Sequence, residues 1–131
     1  MQALVLIDSN VYIRHLRDHR DPILEIAKAV ELENVVSCGV VKAEVLRGIR
    51  SPKIRDGLEA FFAVTQNVAT SASLWDEVWR LAWQLDRRGE VIPLPDLVIA
   101  CCALRAGAVV MTDDGHFQAV PGLQVLPPGW S

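Results

Sequence analysis

The sequence predicts an α/β fold of three layers, with helices on both faces of a mainly parallel sheet of four or five strands. Three observations predict it. Short apolar runs alternate along the chain with segments of helical period. These runs carry no polar alternation, which is the pattern of strands buried on both faces. Between the segments stand Pro, Ser, Asp and Gly, with no repeat, low-complexity tract or flexible linker, so 131 residues read as one domain over 1–131.

Residues 1–7 form the first expected strand, with Ala3–Ile7 as its apolar run. Asp8-Ser9-Asn10 ends it, and Ser9 is an N-cap for a helix over about 10–19. Asp21-Pro22 opens a second helix, in which Ile23, Leu24, Ile26, Ala27 and Val30 keep helical spacing. Val35–Ser37 is a second strand, and Val40–Arg47 a helix that stops near Gly48. Ser51-Pro52 starts a helix to about Ala63, and Val64–Val68 is a third strand. Ser71 or Ser73 caps a long helix that runs to Arg88 and ends at Gly89. Pro93 and Pro95 introduce an apolar helix, Asp96–Arg105, closed by Gly107. Ala108–Met111 is a fourth strand and Leu123–Leu126 a fifth.

Composition places few limits on function. About half the residues are apolar (51%) and 22% are charged, the balance of a globular domain. No apolar run reaches the roughly 18 residues of a membrane helix, and the N-terminus lacks the basic region and core of a signal peptide. A cytoplasmic protein is expected. The three cysteines, two of them adjacent at 101 and 102, lack both disulfide and zinc-ligand spacing and read as small buried hydrophobes. The net charge of −3 does not point to a polyanionic partner. It permits one, since two bound divalent ions would turn it positive.

Ligands of parallel α/β sheets lie outside the carboxyl ends of the strands, which directs attention to Asp8 and to Asp113-Asp114. Asp8 directly follows an apolar strand, where a turn or cap role is equally open to it. Glu44 shares a helical face with Val40 and Val41, although a surface pair with Arg47 is the alternative. Asp96 opens a helix apolar nearly all round; the helix dipole favours its charge, and simple capping competes as a reading. Asp114-Gly115 is also an ordinary turn signal. Taken jointly, the four acids are more specific. Isolated buried carboxylates would neutralise, and clustered ones repel; a divalent cation removes both problems. Oxygen donors without a Cys or His pair favour Mg²⁺ or Mn²⁺, one or two ions, over zinc. The chemistry implied is phosphoryl transfer or phosphodiester hydrolysis.

The ordered motifs Asp8-Ser9-Asn10-Val11, Glu44 with Gly48, Pro95-Asp96-Leu97-Val98-Ile99-Ala100 and Thr112-x-Asp114-x-x-Phe117 resemble the PIN-domain family. Within it they are most similar to the VapC type, the toxin half of toxin–antitoxin pairs. The resemblance spans Ile7 to about Val125, with spacings of 36, 52 and 18 residues between successive acids. It implies a PIN-like fold and a metal-binding quartet of Asp8, Glu44, Asp96 and Asp114. Thr112, Ser9 and Asn10 match its supporting polar positions. Asp113 stands at the variable position of the last motif and is expected to share the role of Asp114. His116 stands where many relatives have a further carboxylate, and a local hydrogen-bonding role is expected for it. The implied activity is metal-dependent hydrolysis of RNA to 5′-phosphate and 3′-hydroxyl ends. Implied partners are RNA, a cognate antitoxin and a second copy of the chain.

Cations near the cleft would contact RNA phosphates, and Arg47, Arg50 and Lys53 are the candidates; Arg55 follows them, and Arg14, Arg17 and Arg20 follow Asp8. The long helix carries Leu74, Val78, Leu81 and Leu85 on one stripe, with Trp75, Trp79 and Trp83 turned about 100–180° away. One wide core face explains both; a protein interface also suits the tryptophans. Two rival functions stand beside the nuclease. An aspartate-nucleophile phosphotransferase would want a second carboxylate at position 10, where this chain has Asn, and a better-placed lysine than Lys28, Lys42 or Lys53. A non-catalytic PIN-like module would bind RNA or protein without cleaving it.

Overall fold

The computed structural model describes residues 3–129. The expectation that the first strand opens at residues 1 and 2 falls outside the described residues. Five strands form one sheet: β1 (Val5–Ile7), β2 (Val35–Cys38), β3 (Gln66–Val68), β4 (Val109–Met111) and β5 (Val125–Leu126). All pairings are parallel, in the order β3-β2-β1-β4-β5. Central β1 pairs Val5 with Val35 on one side and with Val109 on the other. Its three residues are all buried, as the apolar run without alternation requires.

Six helices connect the strands: α1 (Ser9–Arg17), α2 (Pro22–Ala29), α3 (Gly39–Arg47), α4 (Pro52–Val64), α5 (Ala72–Arg87) and α6 (Leu94–Ala106). Helix α6 lies along the sheet against β1 to β4, with α5 packed over it, while α1, α2, α3 and α4 form a second contiguous group. Residues Leu97 to Ala103 of α6 are all buried, which is why its sequence is apolar on every side. Their core neighbours include Leu6, Ile7, Val36, Val110 and Met111 from the sheet.

Helix ends follow local chemistry. The Asp21 carboxylate accepts the Ile23 and Leu24 amides ahead of Pro22. Ser51 accepts the Ile54 amide ahead of Pro52, and Ser71, not Ser73, accepts the Leu74 amide that starts α5. Gly107 closes α6 in the left-handed region (φ 67°), which a side chain rarely adopts.

Three boundary expectations are corrected. Helix α4 runs on to Val64, so β3 begins at Gln66; the apolar Val64 is exposed at the helix end and joins no strand. Helix α6 begins at Leu94 and takes Pro95 into its first turn, where a missing amide hydrogen costs nothing. Ser9 is the first residue of α1 and does not cap it. The cap position belongs to Asp8, whose side chain makes no capping bond. Cys38, Cys101 and Cys102 are free and buried, as expected. Among the described residues no helix is long and apolar enough to cross a membrane.

Candidate active site

The chain proceeds from central β1 outward through β2 to β3, then returns to the opposite side for β4 and β5. The crevice between the carboxyl ends of β1 and β4 is therefore the topological switch point of the sheet. Asp8 is the residue after β1, and Asp114 lies three residues beyond β4. The Asp8 amide donates to the Met111 carbonyl at 3.0 Å, extending the β1–β4 ladder by one bond and fixing where the carboxylate leaves the sheet. Glu44 projects from the second turn of α3, which follows β2 without a loop. Asp96 occupies the first turn of α6.

Hydroxyl groups connect these acids. The Thr112 hydroxyl donates to Asp8 Oδ2 at 2.8 Å and accepts the Asp114 amide at 2.9 Å. It thus joins the two strand-end acids. The Ser9 hydroxyl donates to Glu44 Oε1 at 2.9 Å and reaches Asp8 Oδ1 at 3.4 Å. Glu44 is engaged by Ser9 and not by Arg47, the surface partner that the sequence offered. His116, in the 3₁₀ turn Gly115–Ala119, turns Nδ1 toward Asp114 Oδ1 at 3.2 Å and Asp96 Oδ2 at 3.4 Å. The His116 amide also donates to Asp114 Oδ1 at 2.9 Å.

The electrostatics show the acids converging. Asp8 is 1% exposed. Burial pushes its carboxyl up to about 6; the Thr112 hydroxyl opposes this, and the charges of Asp96 and Asp114 add to it. Burial raises the Asp96 carboxyl as well; His116 pulls it back, and the Asp114 and Glu44 charges push it further. Asp96 thus feels the charges of Asp114 and Glu44, and Asp8 those of Asp96 and Asp114. No Lys or Arg among the described residues forms a salt bridge with any of them; the nearest cationic candidate is His116. A group of oxygen donors, Asp8 buried and the other three partly so, with no Lys or Arg partner among the described residues, fits a hard divalent cation. Asp8, Glu44, Asp96 and Asp114 are the residues that would hold it.

The remaining sequence candidates divide. Asp113 is exposed and pairs with Arg14 Nη1 of α1 at 3.6 Å, a partner outside the quartet. Asn10 is exposed on α1 and makes no side-chain hydrogen bond to the acids. Arg47, Arg50 and Lys53 are exposed around the α3–α4 junction, and Arg50 lines the same surface depression as Glu44. His116 has the hydrogen-bonding role expected of it toward Asp114, and the fold adds a second partner, Asp96, 20 positions away.

The sequence model of the PIN domain matches residues 5–123. Among curated proteins, none matches this sequence. Several solved structures share the fold. The DNA-bound VapBC from Salmonella typhimurium is 18% identical, with a TM-score of 0.78 over 97% of this chain and 99% of that one. A toxin-antitoxin complex from Klebsiella pneumoniae is 17% identical, with a TM-score of 0.71 over 95% and 97%. The sarcin-ricin loop cleaving toxin VapC20 of Mycobacterium tuberculosis is 16% identical, with a TM-score of 0.67 over 94% and 99%. At such identities the likeness is one of fold, whereas the sequence match extends over nearly the whole chain. With its parallel sheet, its strand-end acids and that match, the chain belongs to the PIN-domain family.

Proposed function

We propose that this chain is a divalent-metal-dependent endoribonuclease and the toxin component of a toxin–antitoxin pair. One observation supports the reading: Asp8 and Asp114 at the β1–β4 switch point, with Asp96 of α6 and Glu44 of α3 linked to them by hydroxyl bonds or by charge, form no salt bridge with any Lys or Arg among the described residues. Family membership supports nuclease chemistry, and the neighbours of similar fold include a sarcin-ricin loop cleaving toxin and a toxin-antitoxin complex.

In this reading Asp8, Glu44, Asp96 and Asp114 hold one or two Mg²⁺ or Mn²⁺ ions. When bound, such ions lower the pKa of an attacking water and stabilise charge on the leaving oxygen. The protein's part is to fix the donors. Thr112 clamps Asp8 Oδ2 and sets the Asp114 backbone, and Ser9 orients Glu44, so the carboxylates are held before substrate arrives. Arg47, Arg50 and Lys53 supply positive charge beside Glu44 for RNA phosphates, which would position the strand without reading its sequence. Water would add to phosphorus as the P–O3′ bond breaks, with the 3′ oxygen leaving and taking up a proton, so the products carry 5′-phosphate and 3′-hydroxyl ends and the 2′-hydroxyl takes no part.

Two protein partners belong to the reading. Trp75, Trp79 and Trp83 are 42%, 55% and 54% exposed and lie at i, i+4 and i+8 on α5. Such an aromatic stripe suits self-association, and a homodimer through α5 is expected. An apolar groove between α1, α2 and α4, lined by Leu16, Pro22, Ile23, Ile54 and Leu58, suits a hydrophobic segment of an antitoxin.

The test is the chemistry of the ends. Fragments made from total cellular RNA should accept ligation at both ends without prior repair, and Asp96→Asn should make none. Fragments ending in 2′,3′-cyclic phosphate would contradict the mechanism, and a folded protein that cleaves nothing with any metal would favour a binding module.

A further inference from the structure

We propose that His116 is a nitrogen ligand of the metal centre, and that it makes the centre prefer Mn²⁺ over Mg²⁺. The inference rests on the metal site argued above and adds a donor of a different kind. The acids of that site are joined to it through one ring atom. Nδ1 lies 3.2 Å from Asp114 Oδ1 and 3.4 Å from Asp96 Oδ2, and one ligand atom from each of the three residues falls within 4.8 Å of the others. In octahedral coordination at about 2.1 Å, adjacent donors stand about 3 Å apart and opposite donors about 4.2 Å apart. Nδ1 thus stands from each of the two carboxylate oxygens about as far as adjacent donors of one shell stand apart.

The ring is placed by the fold and not by chance of an exposed side chain. Asp114 accepts the His116 amide at 2.9 Å, which closes the turn on itself. The next residue, Phe117, is fully buried and anchors that turn in the core. The 3₁₀ turn packs against α6, the helix that carries Asp96, so the imidazole bridges two elements that each contribute an acid.

Donor chemistry then sets the preference. Magnesium takes oxygen ligands almost alone and gives up its waters reluctantly. Imidazole nitrogen suits first-row transition-metal ions, and among the ions that suit carboxylate oxygen Mn²⁺ is the one that belongs to that row. A site of carboxylates plus one imidazole discriminates toward Mn²⁺.

The competing role for His116 is a neighbour that hydrogen-bonds Asp96 and Asp114 and, when its ring is protonated, quiets the repulsion between them. The two roles have opposite consequences for metal binding. Removing a cationic neighbour strengthens cation binding, whereas removing a ligand weakens it. The experiment is calorimetric titration of the full chain with Mn²⁺ and separately with Mg²⁺, for wild type, His116→Ala and His116→Asp, with pulsed EPR of the Mn²⁺ form. His116 is half exposed, so these variants keep the fold.

The expected result is nitrogen hyperfine coupling to Mn²⁺ in wild type that vanishes in His116→Ala. Mn²⁺ affinity should fall about tenfold or more in that variant, the order seen when a metal-site contact is lost. His116→Asp should restore tight binding with the preference moved toward Mg²⁺. Mn²⁺ binding in His116→Ala as tight as or tighter than wild type, without nitrogen coupling in wild type, would overturn the ligand role and leave the carboxylate site standing. Wild type that binds neither ion would overturn the metal site itself.

Discussion

Asp8 is the residue on which the chemistry and the stability of this fold conflict. Its carboxyl titrates near 6 in the folded state against 3.8 when unperturbed. The folded state therefore holds a proton that the unfolded chain has released, and in metal-free protein Asp8 destabilises the fold as pH rises from about 4 through 6. The shift corresponds to at most about 3 kcal/mol. In EDTA the melting temperature should fall between pH 5 and pH 7.5. Asp8→Asn should abolish that part of the fall, raise stability at pH 7.5 by about 1–3 kcal/mol, and eliminate RNA cleavage. A variant less stable than wild type at pH 7.5 would mean that the ionised carboxylate is compensated by something other than metal.

Thr112 gives a second test at the same scale. Its hydroxyl serves Asp8 and the Asp114 amide at once. Thr112→Val should cost about 1–3 kcal/mol by leaving both unsatisfied, push the Asp8 carboxyl higher still, and lower cleavage by about 10–100-fold. Denaturant unfolding and initial cleavage rates check the two parts separately. Tyr12 behaves in the opposite way. It is fully buried against Phe62, with ring centroids 5.3 Å apart, and its hydroxyl has no hydrogen-bond partner among the described residues. Tyr12→Phe should be neutral or stabilise by about 1 kcal/mol in the same unfolding experiment.

At the scale of elements, the sequence spoke clearly where one local cause decides the structure. Pro22 after Asp21, Pro52 after Ser51 and Gly107 after α6 each mark a boundary through backbone geometry that their neighbours cannot alter. The strand-end acids were legible for the same reason, since a charge directly after a fully buried strand has few places to go. Ser9 was misread because two local rules compete at the start of α1. As a cap it would satisfy an amide nearby, but its hydroxyl instead reaches Glu44, 35 residues away. Asp113 and His116 show the same limit. Which of two adjacent acids faces the cleft, and which carboxylate a histidine meets, depend on how a turn packs against α6 and α1. No periodicity encodes that.

The tryptophans of α5 also belong to this scale. Leu74, Val78 and Leu85 are buried, so the core face of the helix is already accounted for. The indoles lie outside it, with Arg80 and Arg87 stacked over Trp79 and Trp83 at 5.3 and 4.9 Å. If the stripe joins two copies, Trp79→Glu should convert a dimer to a monomer in light scattering and shift indole emission to the red, while metal binding stays unchanged. A wild-type chain already monomeric at micromolar concentration would remove α5 as a self-association surface.

For the whole molecule, topology does what no single residue can. Strand order β3-β2-β1-β4-β5 puts the ends of β1 and β4 side by side, although Ile7 and Met111 are 104 positions apart in a chain of 131. Helices α3 and α6 then bring Glu44 and Asp96 to the same crevice. The fold class was readable from the alternation of strand and helix, but the convergence of the acids required the sheet order. The proposed function requires that the protein cleave RNA only with a divalent ion bound. The direct measurement is cleavage of total cellular RNA by purified protein, first stripped with EDTA and then given back Mn²⁺ or Mg²⁺, with Asp96→Asn in parallel. The account predicts no cleavage in EDTA, discrete fragments once metal is restored, and none from the variant. Fragments that persist in EDTA, or that Asp96→Asn makes as well as wild type, would contradict it.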